Sequence, residues 1–245
     1  MIGISIKIVS GYQKKRTGDF LYSACIFDLD GTLANTLDSI AYFSNKALRE
    51  CGYSSIPTED YKTIVGDGAD MQVHRMLDRV AGKGAYSEDD FKRVRTVYGD
   101  LYASDPTYLL KNYAGMPQTV RRLKAAGIKT AVLSNKPHEW VTAIIGSLFP
   151  AGSFDACYGQ RPGVPRKPSP AGALLIAEEL GVLPKSCLYI GDTNTDMKTG
   201  SAAGMITAGA LWGFRTRKEL AENHARHLLE KPEQIYPIAA GDGVR

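Results

Sequence analysis

The chain has 245 residues, 44% of them apolar and 23% charged, which is enough to bury a sizeable core in one large domain or two smaller ones and unlike a disordered composition. No apolar run approaches the ~18 residues that span a bilayer, and the opening MIGISIKIVSGYQKKR places its basic cluster after its apolar stretch, the reverse of a secretory signal; a cytoplasmic protein, monomer or homodimer, with no membrane partner is expected. The net charge of +4 is concentrated at the start, where Lys7, Lys14, Lys15 and Arg16 stand against Asp19 alone, and the nearly balanced remainder argues against a nucleic-acid groove.

Residues 1–20 read as an N-terminal extension. Beyond them, short β-rich apolar runs alternate with helical patterns, which predicts an α/β fold: a Rossmann-like, doubly wound parallel sheet covered by helices. The strands are expected at Leu21–Phe27, Thr130–Leu133, Ala156–Tyr158, Cys187–Ile190 and Ile206–Ala210. Three of them end in polar residues, Asp28, Ser134 and Asp192. Open α/β sheets bind ligands at those carboxyl ends.

Residues 38–111 have helical periodicity and no strand signal, so an all-helical insertion is expected between two parts of one core, 21–37 and 112–245. Ile40, Phe43 and Ala47 form one apolar stripe; Val73, Met76, Leu77 and Val80 form a second; Phe91, Val94, Tyr98 and Leu101 form a third. Ser87 is placed to cap the third helix, with Glu88, Asp89 and Asp90 in its first turn. The stretch RPGVPRKPSP, Arg161–Pro170, reads as a stiff loop before a helix starting near Ser169. Cys25, Cys51, Cys157 and Cys187 are widely spaced, as suits reduced thiols. His224 and His227 lie three apart on a polar segment and read as a solvated helix face.

Chemistry concentrates in IFDLDGTLANT. Asp28 and Asp30 are two apart, so both carboxylates project to one side if strand geometry persists. At that proximity they repel unless a cation or a shared proton intervenes. Gly31 permits a sharp turn, and Thr32 offers a hydroxyl and an amide. An Asp-Gly hairpin turn is the plain alternative. A calcium loop of the EF-hand type fails, because counting from Asp28 its sixth and twelfth places hold Leu33 and Ser39 instead of glycine and glutamate.

DLDGTLANT resembles the first motif of the haloacid dehalogenase superfamily. Three further motifs follow in order: Ser134 in TAVLSNKP, Lys167 in RKPSP, and Asp192 with Asp196 in CLYIGDTNTD. The last pair also matches a Thr-x-x-Asp capping pattern from Thr193. The resemblance implies that Asp28 is a nucleophile and Asp30 a general acid and base. It implies phosphate binding by Thr32, Ser134, Asn135 and Lys167, and Mg2+ held by Asp28, the Asp30 carbonyl, Asp192 and Asp196. Asp30 separates phosphatases and phosphomutases from branches that lack it. The helical insertion resembles that superfamily's mobile cap.

The reaction implied is hydrolysis of a small phosphorylated metabolite through an aspartyl phosphate. LSNKPHEW, the VGDGAD loop and RHLLEKPEQI look most like phosphoglycolate phosphatases. A phosphomutase of the β-phosphoglucomutase type, a nucleotidase or pyrophosphatase, and a phospho-acceptor signalling domain are the alternatives. Gly66 and Arg75 are the cap residues expected to meet substrate. Asp67 is at odds with an anionic substrate, and Arg75, His74 and Lys62 are the available compensating cations.

Overall fold

The computed structural model describes residues 21–241; the extension and its basic cluster lie outside the described residues. A six-stranded, all-parallel sheet forms the core, in the order β5-β4-β1-β6-β7-β8. The strands are β1 (Ala24–Phe27), β4 (Lys129–Pro137), β5 (Ala156–Gln160), β6 (Cys187–Gly191), β7 (Ile206–Ala210) and β8 (His227–Leu229). A two-residue ribbon pairs β2 (Ala34–Asn35) with β3 (Lys111–Asn112) in antiparallel sense. Among the described residues no helix is long and apolar enough to cross a membrane.

Alternation along β1 explains the layers. Cys25 and Phe27 pack with helices α5 (Met116–Ala125), α6 (His138–Leu148) and α10 (Ile235–Ala240) on one face. Ala24 and Ile26 pack with α7 (Ala171–Glu179) on the other, as a period-two strand covered on both faces requires. β1 is bordered by β4 on one side and β6 on the other. The connections therefore reverse direction at β1 and open a crevice beyond the strand ends.

Between the two ribbon strands run α1 (Leu37–Glu50), the short α2 (Tyr61–Ile64), α3 (Ala69–Val80) and α4 (Glu88–Ser104). They close over an apolar cluster of their own that contains the three expected stripes. Ser87 caps α4 as its sequence predicts: its hydroxyl accepts from the Asp90 amide, and Asp90 accepts from the Ser87 amide in return. The remaining helices are α8 (Asn194–Ala202) and α9 (Arg217–Glu222).

Two expectations need correction. β2, β3 and β8 carry no strand signal, because two or three residues are too short for a visible alternation. His224 and His227 do not share a helix face: His224 lies beyond α9 at a φ of 70°, and His227 is in β8. All four cysteines are free.

Candidate active site

Backbone geometry delivers the first carboxylates. β1 ends at Phe27, and the next residues wind into a tight turn in which the Leu29 carbonyl accepts from the amides of Thr32, Leu33 and Ala34. Gly31 adopts a φ of 82° there, where an L side chain is strained. Space matters as much as torsion: a Cβ on Gly31 would stand 2.3 Å from Asp192 Oδ2. Asp28 and Asp30 both line one small cavity of about 40 Å3 beneath the helical insertion, so the predicted convergence occurs.

The opposite wall comes from β6 and α8. Asp192 follows β6 directly, and Asp196 occupies the first turn of α8. Asp28, Asp192 and Asp196 are buried, with one carboxylate oxygen from each within 4.8 Å of the others. Asp192 Oδ1 accepts from the Thr32 hydroxyl at 3.1 Å and Oδ2 from the Phe214 amide at 2.7 Å. Asp196 divides its two oxygens. Oδ2 accepts from the Thr193 amide and hydroxyl, completing the cap of α8, and Oδ1 accepts from Lys167 Nζ at 2.7 Å. The capping reading of TNTD thus holds, and the same aspartate also reaches Lys167. Lys167 Nζ also donates to Asp28 Oδ1 at 2.6 Å.

Electrostatics follow from this crowding. Burial, reinforced by the neighbouring Asp196, pushes the Asp28 carboxyl up to about 7, against the pull of Lys167. Burial, Asp196 and Asp28 likewise hold Asp192 well above the usual carboxylate range. Burial alone would lower Lys167, but Asp196 and Asp28 more than offset it and keep the amine protonated. One lysine cannot neutralise three buried carboxylates. An all-oxygen cluster with surplus negative charge fits a hard divalent cation.

The other predicted residues fall into place unevenly. Ser134 lines the cavity; its oxygen accepts from the Lys136 amide, which leaves its own O–H to donate. Asn135 is spent on Lys167, accepting from its amide at 2.8 Å and donating to its carbonyl at 3.1 Å, so its amide group fixes the lysine backbone and is not free for phosphate. Thr32 is committed in the same way, its hydroxyl to Asp192 and its amide to Leu29.

In the cap, Gly66 and Gly68 line the cavity at φ values of 118° and 89°. Arg75 does not line it. Its guanidinium is held by the Ile64 carbonyl and the Asp67 carboxylate, which corrects the expectation that it meets substrate. Lys62 pairs with Glu59, and His74 stacks on Phe91 with centroids 4.1 Å apart. Asp67 is no obstacle to an anion, because it is turned onto the core: Oδ1 accepts from Thr195 at 2.7 Å and Oδ2 from Arg75. Burial would raise Asp67, but Thr195 and Arg75 together hold it below the usual carboxylate range.

A family model for haloacid dehalogenase-like hydrolases matches residues 25–210. The chain belongs to that family. It is 35% identical over 189 residues to the phosphoglycolate phosphatase of Aquifex aeolicus, covering 77% of this chain and 84% of the relative. It is 28% identical to that of Haemophilus influenzae Rd, covering 86% and 96%. A solved structure described as a predicted phosphoglycolate phosphatase from Haemophilus somnus superposes with a TM-score of 0.82 at 27% identity, covering 89% of this chain and 98% of the other. Within the haloacid dehalogenase-like family this chain is a phosphoric monoester hydrolase.

Several supporting residues were not singled out from sequence. Gly213, in the loop after β7, lies so close that a Cβ there would stand 2.3 Å from Asp192 Cβ. Trp212 Nε1 donates to the Thr32 carbonyl at 3.0 Å. Lys136, two residues beyond Ser134, is buried at the cavity with Tyr102 and Asp30 as partners. The glycine in LWGFR is the one visible signal for the loop; SNKP is the signal for the lysine.

Proposed function

We propose that this protein is a Mg2+-dependent phosphatase that hydrolyses 2-phosphoglycolate through an aspartyl phosphate on Asp28. The observation that carries the reading is the convergence of Asp28, Asp192 and Asp196 within 4.8 Å, with Lys167 2.6 Å from Asp28 and Asp30 lining the same cavity.

Asp28, Asp192, Asp196 and the Asp30 carbonyl would hold the metal, which supplies positive charge opposite the phosphoryl oxygens. Asp28 attacks phosphorus, and the ester bond breaks toward the leaving oxygen. Asp30 gives that oxygen its proton, then takes one from the water that hydrolyses the acyl phosphate. Lys167 and the Ser134 hydroxyl stabilise the charge that spreads over the equatorial oxygens. Asn135 and Thr32 act one step back, fixing Lys167 and Asp192. Residues 38–111 serve as the cap: Ile40, Val65 and Tyr98 close the cavity above the two aspartates and exclude water. The names of the relatives favour a two-carbon substrate over a sugar or nucleotide.

Phosphate release from a panel of phosphorylated metabolites, with Mg2+ and with EDTA, tests the reading. 2-Phosphoglycolate is expected to give the highest kcat/KM, and EDTA to abolish turnover reversibly. Full activity in verified metal-free protein, or preference for a hexose phosphate, would overturn it.

A further inference from the structure

The cap cations suggested by the sequence are committed elsewhere, yet a substrate with two anionic ends needs a counter-charge at each. Among the described residues, one cationic side chain lines the cavity: Lys136, from the core strand β4. Its side chain is 6% exposed. The ammonium stands 3.0 Å from Asp30 Oδ1, donates to the Tyr102 hydroxyl at 3.0 Å, and lies 4.6 Å from the centre of the Tyr102 ring. An ammonium has three N–H donors. Tyr102 accepts one of them and Asp30 stands at ion-pair distance without a hydrogen bond, which leaves donor capacity for a ligand in the cavity.

The surroundings restrict what that ligand is. Ile40, Val65 and Trp140 supply apolar wall, and Gly68 and Ala69 bring the N-terminus of α3, which no side chain caps, to the same cavity. The positive end of that helix adds to the potential that Lys136 provides.

We propose that Lys136 determines specificity by binding the carboxylate of a short phosphomonoester, one borne on the same carbon as the ester oxygen, while Asp28, Ser134 and Lys167 engage the phosphoryl group. The inference rests on the phosphatase reading above. It also joins recognition to closure: Tyr102 belongs to cap helix α4 and Trp140 to core helix α6, with stacked rings 4.6 Å apart, so the lysine is fully dressed only when the cap lies on the core.

The test compares 2-phosphoglycolate with 2-hydroxyethyl phosphate, which has the same chain length and a hydroxyl in place of the carboxylate. In the wild type, kcat/KM should favour the acid by about 100-fold, and in Lys136→Met that ratio should fall by about 30-fold, chiefly through KM, as loss of a charge-assisted contact predicts. Lys136→Arg should keep part of the preference. Both substrates are assayed on one preparation, so the ratio does not depend on the fraction of protein that folds. An unchanged ratio in Lys136→Met overturns the inference and leaves the phosphatase reading intact. A wild type that hydrolyses neither compound overturns both.

Discussion

Asp28 is the residue on which chemistry and stability meet most directly. Asp28→Asn keeps the shape of the side chain and removes its nucleophilic charge, so turnover should be lost while the fold persists; circular dichroism together with phosphate release checks this. The same substitution carries a pH prediction. In the unfolded chain this carboxyl ionises near 3.8, whereas the native protein holds its proton up to about 7. Between those values the native state binds more protons than the unfolded state, so the stability of metal-free protein falls as pH rises, by at most about 1.4 kcal/mol per unit from this group. Thermal melts of metal-free Asp28→Asn from pH 4 to 7 should show a shallower decline than wild type. That Asp28, Asp192, Asp196 and Lys167 belong together was legible in the sequence, because the aspartates follow a strand or stand in a helix's first turn and the lysine lies in a recognisable motif of the loop before α7. Arg75 was misjudged for a physical reason: periodicity reports which face of α3 is polar, not which polar partner, here Asp67, waits beside it.

At the scale of elements, local signals and long-range contacts separate cleanly. α4 announced its own start, and Ser87→Ala should lower stability by about 1 kcal/mol, measured by urea unfolding, with kcat/KM unchanged, since that cap is exposed and remote from the cavity. β1, β4, β5, β6 and β7 were visible as apolar runs, three of them (β1, β4 and β6) with a polar residue at the expected end. The loop after β7 was not, because its purpose is to leave room for a residue some twenty positions earlier in the chain. Gly213→Ala would drive a methyl group into Asp192 and the Gly31 carbonyl. Disturbing a residue that orients a metal ligand costs roughly 10–100-fold in metal affinity, so activity titrated with Mg2+ should need correspondingly more of it. A half-saturation value equal to wild type would show that the loop can yield.

On the scale of the whole molecule, the helical insertion and the core meet along a seam. Asp67 reaches Thr195, Arg215 donates to the Val65 carbonyl, Arg166 pairs with Asp70, and Lys136 reaches Tyr102. The change in periodicity after residue 37 marks the helical stretch in the sequence, but nothing there marks the seam. Its partners are 34 to 150 positions apart, and no local pattern encodes such a pairing. Thr195→Val removes one donor from the seam and leaves Asp67 with Arg75. It should raise KM several-fold for 2-phosphoglycolate with little change in melting temperature, and steady-state kinetics beside a thermal melt would separate those effects.

A cavity roofed by the helical insertion has a temporal consequence. On the proposed function, both products must pass the roof that the insertion makes, so each catalytic cycle is expected to include a breaking and a remaking of those same contacts. Turnover is then timed by that opening as much as by the chemistry. Raising solvent viscosity should slow kcat for the natural substrate, and engineering the seam to hold more tightly should yield a protein that survives heat better and works more slowly.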